Sequence, residues 1–573
     1  MAEWAWRIAE PLTDGSAPDL EVWPWPLPQL LFNRGLRSAQ EVEEFLYPET
    51  IGLHDPFLLR GMDVAVDRIC RALRDEELIG LYGDFDVDGL TSVALLAGLL
   101  ESEALQGHVV TYLPHRTKEG YGLNSEAIWR LAQTGVRLLV TADCGVGADR
   151  EVRLAGELGM DVIVTDHHLV AEGPPPALAV LNPRQGGCEY PCKDLAGVGV
   201  AYKLAEAVLS RVWGLQEARR RLEPELDLVA LGTVADLVPL VGENRLLVRL
   251  GLPRIQQGGR TGLRALMGTA GYAGRPIDAD SIAYGLAPRL NAAGRMGDAR
   301  LGLDLLTCRS EDQANRIAEQ LEAANRERQA ATAAAINCAR KELSRLAELP
   351  PAIVVAGDYS AGVVGLVASK LAEEFQRPAF VVEVGPTESR GSGRGVAGFD
   401  VVRALAACSD LLLRFGGHAQ AGGFAVPTPL LPAVQQRLEA AAAEQIEEAP
   451  SARELFLEAG LALREIGPSL YHGLSLLEPF GSGNPHPVFY TMCAQVREAR
   501  IVGSNHLKLW LSDGSGTSSA IGFGMGIERF DFARRGSYVD CAYTISRNER
   551  HGTVGYEMVL KDLRPSTGRS PAL

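Results

Sequence analysis

Short apolar runs closed by polar turns recur through the first half of the chain. LIGLYG (78–83), VRLLVTA (136–142) and MDVIVT (160–165) are of this kind, with helical stretches between them. Apolar strands that alternate with helices predict an α/β domain on a mainly parallel sheet, because helices cover both faces of such a sheet. This domain is expected over 51–266. Residues 1–50 are rich in Trp and Pro, turn helical from Ala39 to Phe45, and read as an N-terminal cap without visible chemistry. From Ser310 to Leu349 Gly and Pro are absent and Ala, Glu, Arg and Gln dominate, until Pro350 and Pro351 end the run. That predicts a long helix within a connector spanning 267–349. No apolar heptad is sustained along it, so a monomer is expected rather than a coiled-coil dimer. AIVVAGD (352–358) opens a second α/β unit, 350–446, and the charged stretch 444–454 marks its end. Alternation in HLKLWLSDG and GYEMVLKDL predicts a small β-barrel over 455–565. The tail STGRSPAL reads as disordered.

Composition narrows the class. The 573 residues exceed what one core organises. The longest apolar run, Val93 to Leu100, stops at Glu101 and suits a buried helix rather than a membrane span. The N-terminus MAEWAWRIAEP lacks the basic and apolar regions of a secretion signal. Nine scattered cysteines fit a reducing cytoplasm better than a disulfide framework, and Cys188 and Cys192 have no second pair at zinc spacing. A net charge of −16 argues against a basic coat for duplex DNA. It leaves room for a local basic channel and for the acids of a metal site.

The candidate chemistry lies behind the strands. In GDFDVDGLTS (83–92), Asp84, Asp86 and Asp88 alternate after an apolar run, and alternate residues of an extended segment point the same way. Gly89 is expected to permit a turn into a helix over 90–100. An EF-hand is excluded, because its twelfth position is Leu95 rather than Glu. Asp143 closes a strand in TADCGV, and Asp166, His167 and His168 follow another in TDHHL. Adjacent side chains diverge, so one histidine is expected on a metal and the other towards substrate. Asp236 in GTVADLVPL sits among apolar residues, where an unpaired carboxylate is costly. The ends of parallel strands form one crevice. Oxygen-rich donors with imidazole suit Mn²⁺ or Mg²⁺, and this many ligands can hold two ions for phosphoester cleavage.

GDFDVDG, TADCG, TDHH and GTVADLVPL, in that order, resemble the motifs of the DHH phosphoesterase superfamily. The resemblance implies metal ligation by Asp86, Asp88, Asp143, His167 and Asp236, with His168 near the scissile phosphate. Several members carry a metal-binding His four residues before the first ligand Asp. Tyr82 stands there in this chain, and Asp84 is expected to compensate. PHRTKEGYGLN (114–124), APRLNAAGRMGDA (287–299), AGVVGLVASKLAE (361–373), FGGHAQAGGFAV (415–426) and PFGSGNPHPVF (479–489) resemble the RecJ family. That family implies a DHH domain, a DHHA1-type substrate-binding domain and a C-terminal OB-fold.

Arginines suit bidentate contact with phosphate. By resemblance, Arg116, Arg295, Ser392 and Arg394 hold the 5′-terminal phosphate, and Gly416-Gly417-His418 offers amides and an imidazole. The chain departs from many relatives at Gly395, where Ser is frequent, and at Ser360, where His is frequent. Residues 491–567 carry ten Lys and Arg against eight Asp and Glu. Trp510, Phe523, Phe530, Phe532, Tyr543 and Tyr556 lie among them, and two of the six are expected to face a strand. The implied activity is a 5′→3′ exonuclease on single-stranded DNA that releases 5′-mononucleotides in recombination and repair. A single-strand-binding protein and a RecQ-type helicase are the implied partners. The rival readings are a DHH phosphodiesterase on short oligoribonucleotides or cyclic dinucleotides, and a non-catalytic nucleic-acid scaffold.

Overall fold

The computed structural model describes all residues except 1–3, 14, 16, 18, 117, 171–172, 447–452, 551–552 and 568–573. Most of the tail expected to be disordered, and part of the charged boundary stretch, therefore lie outside the described residues. The chain forms two compact units. One comprises 54–238 and 247–450, the other 1–53, 239–246 and 451–573.

The larger unit is built on the strand pattern of its first half. Leu78–Gly83, His108–Tyr112, Leu138–Ala142, Asp161–Thr165 and Ala179–Leu181 form a five-stranded parallel sheet. In chain order its strands run 2-1-3-4-5 across the sheet. The direction of winding reverses between Leu78–Gly83 and Leu138–Ala142, which opens a crevice at their carboxyl ends. Helices Val87–Leu100 and Gly197–Trp213 are buried nearly throughout against this layer. The first helix begins at Val87, three residues before its expected start, and Asp86 caps it by accepting from the Gly89 amide at 3.1 Å. Gly89 therefore serves close packing rather than a turn, since a Cβ there would lie 2.5 Å from the Asp84 carbonyl oxygen.

The long helix runs from Glu311 to Leu343. Ser310 caps it by accepting from the Gln313 amide, with Glu311 and Asp312 in its first turn and Arg340 and Lys341 in its last. These charges match the helix dipole. Its last turns bury Ala335, Ala339 and Leu343 in the core under a second sheet, with Ile353, Val367 and Val381. That sheet is mixed. Ile353–Gly357 and Ala379–Glu383 pair in parallel, and Glu388–Arg394, Ala421–Pro427 and Arg414–His418 follow antiparallel.

The smaller unit holds a closed five-stranded barrel of Phe489–Val502, His506–Ser512, Thr517–Gly522, Thr553–Pro565 and Tyr538–Arg550, which returns to the first strand. Trp4–Ile8 pairs in parallel with Arg453–Leu457, and the Trp6 indole donates to Asp562 at 2.8 Å. Two sequence motifs meet here. The Leu240 amide donates to the Ser482 carbonyl at 2.7 Å, and the buried Arg245 guanidinium donates to the carbonyls of Phe45, Leu476 and Leu477. The segment that follows GTVAD is thereby fastened to PFGSGNP. Tyr543 is core and Phe523 is exposed. Trp510 carries the cations of Arg500 and Lys508 at 4.9 and 5.5 Å from its ring. Among the described residues, no helix is long and apolar enough to cross a membrane.

Candidate metal centre and phosphate cavity

Adjacent parallel strands bring chain-distant acids side by side. Ladder bonds continue past the strand ends, from the Asp84 amide to the Ala142 carbonyl and from the Asp143 amide to the Thr165 carbonyl. Asp84, Asp143 and Asp166 consequently line one edge. Asp86 and Asp88 enter it from the first turn of helix Val87–Leu100, not from an extended strand, and Asp236 enters from the C-cap of helix Leu226–Ala235. Two side-chain-bearing residues here take left-handed backbone, Asp143 at φ 64° and Leu237 at φ 62°. Such conformations cost on the order of 1–3 kcal/mol each and persist where packing enforces them. Gly197 makes room for the Asp143 side chain, since a Cβ there would lie 2.5 Å from an Asp143 carboxylate oxygen.

His167 Nε2 lies 3.2 Å from Asp143, 3.5 Å from Asp236 and 3.9 Å from Asp88. Three overlapping sets, Asp143-His167-His168, Asp88-His167-Asp236 and Asp84-Asp86-Asp143, each bring one donor atom per residue within 4.8 Å of the others. Asp84 Oδ1, Asp143 Oδ1 and both His167 ring nitrogens are buried without a hydrogen-bond partner. Orphaned polar atoms are expensive inside a protein, and their gathering on three neighbouring residues, Asp84, Asp143 and His167, points to a shared cation.

Electrostatics agree. Burial, and then the charge of Asp86, pushes Asp84 well above the usual carboxylate range. Burial and the surrounding Asp88, Asp86, Asp236 and Asp84 do the same to Asp143. The same two causes lift Asp88 to about 7 and Asp236 to about 9. Burial, then the neighbouring His168, lowers His167 to about 4, so its imidazole is neutral with a lone pair free for a ligand. The donor set fits hard divalent ions.

His168 plays another part. Burial works to lower it, but the hydrogen bond from its Nδ1 to Asp166 at 2.7 Å outweighs this and raises it to about 9. Asp166 is fully buried and also accepts from the amides of Val146, His167 and His168. Sequence reasoning singled out Asp166 only as part of a motif. Its signal in the sequence was its place directly behind the apolar run 160–165. The amides of Gly197 and Val198, which donate to Asp88 at 2.8 and 2.7 Å, left no signal in the sequence, because backbone donors have no residue identity.

A cavity of about 820 Å³ lies beside this edge, in the same unit. Arg116, Arg295, Ser392 and Arg394 line it, together with the N-terminal turn of helix Val364–Phe375. Arg116 stacks 4.6 Å above the ring of Phe85, the residue between Asp84 and Asp86. Arg394 donates to Ser392 Oγ at 2.8 Å, and Arg295 to the Gly362 carbonyl at 3.2 Å. Burial lowers Arg295 to about 9, helped by repulsion from Arg116, Arg328 and Arg394. Cations crowded in a partly dry pocket are suited to an anion. Tyr121 stands at the rim with its hydroxyl 3.2 Å from His168 Nδ1. His418 does not line this cavity. It lies exposed at the end of strand Arg414–His418, where its Nδ1 accepts from the Gln420 amide at 3.3 Å. The Gly395 amide donates to the Gln420 carbonyl, and Ser360 is exposed before helix Val364–Phe375.

A parallel sheet whose carboxyl edge carries Asp-His-His, followed by a mixed sheet that presents arginines, defines a DHH–DHHA1 protein. Residues 78–233 match the DHH family, N-terminal domain, residues 350–448 the DHHA1 domain, and residues 457–562 the RecJ OB domain. The chain belongs to the RecJ family. It is 36% identical to the single-stranded-DNA-specific exonuclease RecJ of Dickeya dadantii over 95% of this chain and 96% of that one. The Bacillus subtilis protein of the same name is 34% identical over 97% of this chain and 70% of that one. Among solved structures, RecJ from Thermus thermophilus in complex with Mn²⁺ superposes with a TM-score of 0.82 at 33% identity, covering 99% of this chain and 80% of that one.

Proposed function

We propose that this chain is a metal-dependent exonuclease that degrades single-stranded DNA from the 5′ end and releases 5′-mononucleotides. The observation that carries the reading is the pairing, within one compact unit, of an acid-and-histidine edge with an arginine cavity, joined by the Arg116–Phe85 stack. Asp84, Asp86, Asp88, Asp143, His167 and Asp236 are the residues that would hold Mn²⁺ or Mg²⁺. Bound there, a pair of such ions supplies an activated water and charge neutralisation at the scissile phosphate.

The rest falls to the chain's own side chains. Arg116, Arg295, Ser392 and Arg394 hold the terminal 5′-phosphate, which fixes one nucleotide between cavity and edge. His168, kept protonated and aimed by Asp166, donates to the phosphoryl oxygens as negative charge builds on them. Water adds to phosphorus, the bond to the 3′ oxygen breaks, and that oxygen takes a proton. The phosphate stays with the next nucleotide, so every cut regenerates a 5′-phosphate for the same arginines. The barrel adds a strand-binding face, with Trp510 flanked by Arg500 and Lys508 as a stacking platform. Repair and recombination in the cytoplasm, as a monomer working with a single-strand-binding protein and a RecQ-type helicase, complete the reading.

The test is digestion of end-labelled oligonucleotides with Mn²⁺. Stepwise loss from the 5′ end is expected. Shortening from the 3′ end, or none, removes the proposal. Faster cleavage of dinucleotides than of long strands favours the small-substrate alternative.

A further inference from the structure

The arginine cavity is larger than a terminal phosphate requires. At about 820 Å³ it falls within the range of roughly 300–1,000 Å³ that takes a whole drug-sized ligand. Its further end is built on the same strand as the proposed 5′-phosphate site. Along Glu388–Arg394, alternate residues share a face, so Arg394, Ser392, Arg390 and Glu388 form one row. The antiparallel register extends the row sideways. Ala425 lies opposite both Arg390 and Arg414, and Gly423 lies opposite both Ser392 and Gly416. Two glycines therefore floor the space between the arginines at either end. A Cβ at Gly416 would meet nothing within 4 Å, and one at Gly423 only a carbonyl at 3.9 Å.

Arg390 and Arg414 both pair with Glu388, at 3.0 and 2.7 Å, so this carboxylate holds the two guanidiniums side by side. Both side chains are about half exposed, 47% and 60%, and turn towards the cavity they line. Two residues of an antiparallel strand span about 6.8 Å. The second pair of arginines thus stands one strand repeat beyond Ser392 in the same cavity, about the reach that two anhydride links add to a phosphate.

We infer that Arg390 and Arg414 form a subsite for the outer phosphates of a polyphosphorylated 5′ end, so that the enzyme accepts strands that begin with a triphosphate. The class of reaction that supplies such an end is de novo initiation from a nucleoside triphosphate. Hydrolysis would follow the same course as for a monophosphate. Water adds to the first internucleotide phosphorus, the bond to the 3′ oxygen breaks, both anhydride bonds survive, and the first product is a nucleoside 5′-triphosphate. This inference rests on the proposed 5′-phosphate site.

The test uses one oligodeoxynucleotide sequence bearing a 5′-hydroxyl, 5′-monophosphate or 5′-triphosphate, with the wild-type chain and the Arg390→Gln/Arg414→Gln double variant. Wild type is expected to digest monophosphate and triphosphate ends at comparable KM and to release one nucleoside triphosphate per strand. The variant is expected to raise KM for the triphosphate end about tenfold or more, with the monophosphate end unchanged. Resistance of the triphosphate end while the monophosphate end is digested overturns the subsite alone. So does an equal effect, or no effect, of the variant on both ends. Failure to digest any end sinks the underlying reading as well. If the variant melts early, calorimetry on metal-free wild type decides: tripolyphosphate must bind more tightly than orthophosphate, and equal affinity overturns the subsite.

Discussion

The acidic edge and the arginine cavity lie in one unit and are electrostatic opposites. At the edge, burial and mutual repulsion lift Asp88 to about 7 and Asp236 to about 9, which penalises their charged forms. In the cavity, burial and mutual repulsion lower Arg295 to about 9. Each cluster is costly by itself and calls for a partner of the other sign. On the proposed function a bound strand end unites them, because one end of its terminal nucleotide is an anion for the arginines and the other is the phosphate to be cut. The chain's net charge of −16 describes neither site.

The sharpest way to separate the two sites is to disable one and watch the other. Asp143→Asn removes a buried carboxylate of the proposed ligand set but keeps a residue type that tolerates left-handed backbone. Hydrolysis is expected to fall on the order of a thousandfold or more. Binding of a 5′-phosphorylated strand, read by gel shift, should persist, since the arginines are untouched. Retained cleavage would mean the ligand set is wrong, and lost binding would mean the two sites are not separable.

Asp166→Asn should cost less, about 10–100-fold, the usual loss for a residue that orients a ligand's neighbour. It also carries a signature that simple damage lacks. Asp166 is what holds His168 at about 9. Without that carboxylate, the alkaline fall in the pH–rate profile should begin at a lower pH. On the other side of the comparison, Arg394→Ala should erode the preference for a 5′-phosphate over a 5′-hydroxyl by about tenfold, seen in KM, with the cutting step largely preserved.

The two sites differed as well in how far they were legible. Asp84, Asp143 and His167 follow apolar runs, and a strand followed by an acid is a local pattern, so the edge was readable from 78–83, 136–142 and 160–165. The parallel order of those strands turned a list of acids into a cluster. Local reading failed where a helix intervened: Asp88 reaches the site from the first turn of a helix and not from an extended strand. The cavity was harder. Arg116, Arg295 and Arg394 come from a loop, a helix and a strand up to 278 positions apart, with no periodicity to connect them. Family resemblance grouped them, while His418, singled out for its imidazole beside two glycines, is held by the strand end away from the cavity. The fastening of Leu240 to the PFGSGNP loop, and of Arg245 to the carbonyls just before it, had no local signal, since backbone carbonyls do the accepting.

The smallest expected effect tests the charge of the edge without a mutation. In metal-free protein, Asp88 and Asp236 have folded pKa values above the unfolded value of about 3.9. Raised carboxyls favour the folded state while they keep their protons. That contribution is complete below pH 4 and is lost as pH rises through about 7 and then about 9. His168, also raised, loses its contribution between about 6.5 and about 9. His167 is lowered to about 4, so its contribution has the opposite sign, but it is fully present above 6.5 and flat from there. From pH 6.5 to 9 the resolved shifts at this edge therefore act in one direction, and their effect on Tm in EDTA is a fall as pH rises. Mn²⁺ should reverse the trend, because it replaces the protons and binds better as they leave. The gain in Tm on adding Mn²⁺ should then be larger at pH 8.5 than at pH 6.5. A gain independent of pH would show that the carboxyls of the edge are already ionised before metal arrives, and the contrast with the arginine cavity would rest on geometry alone.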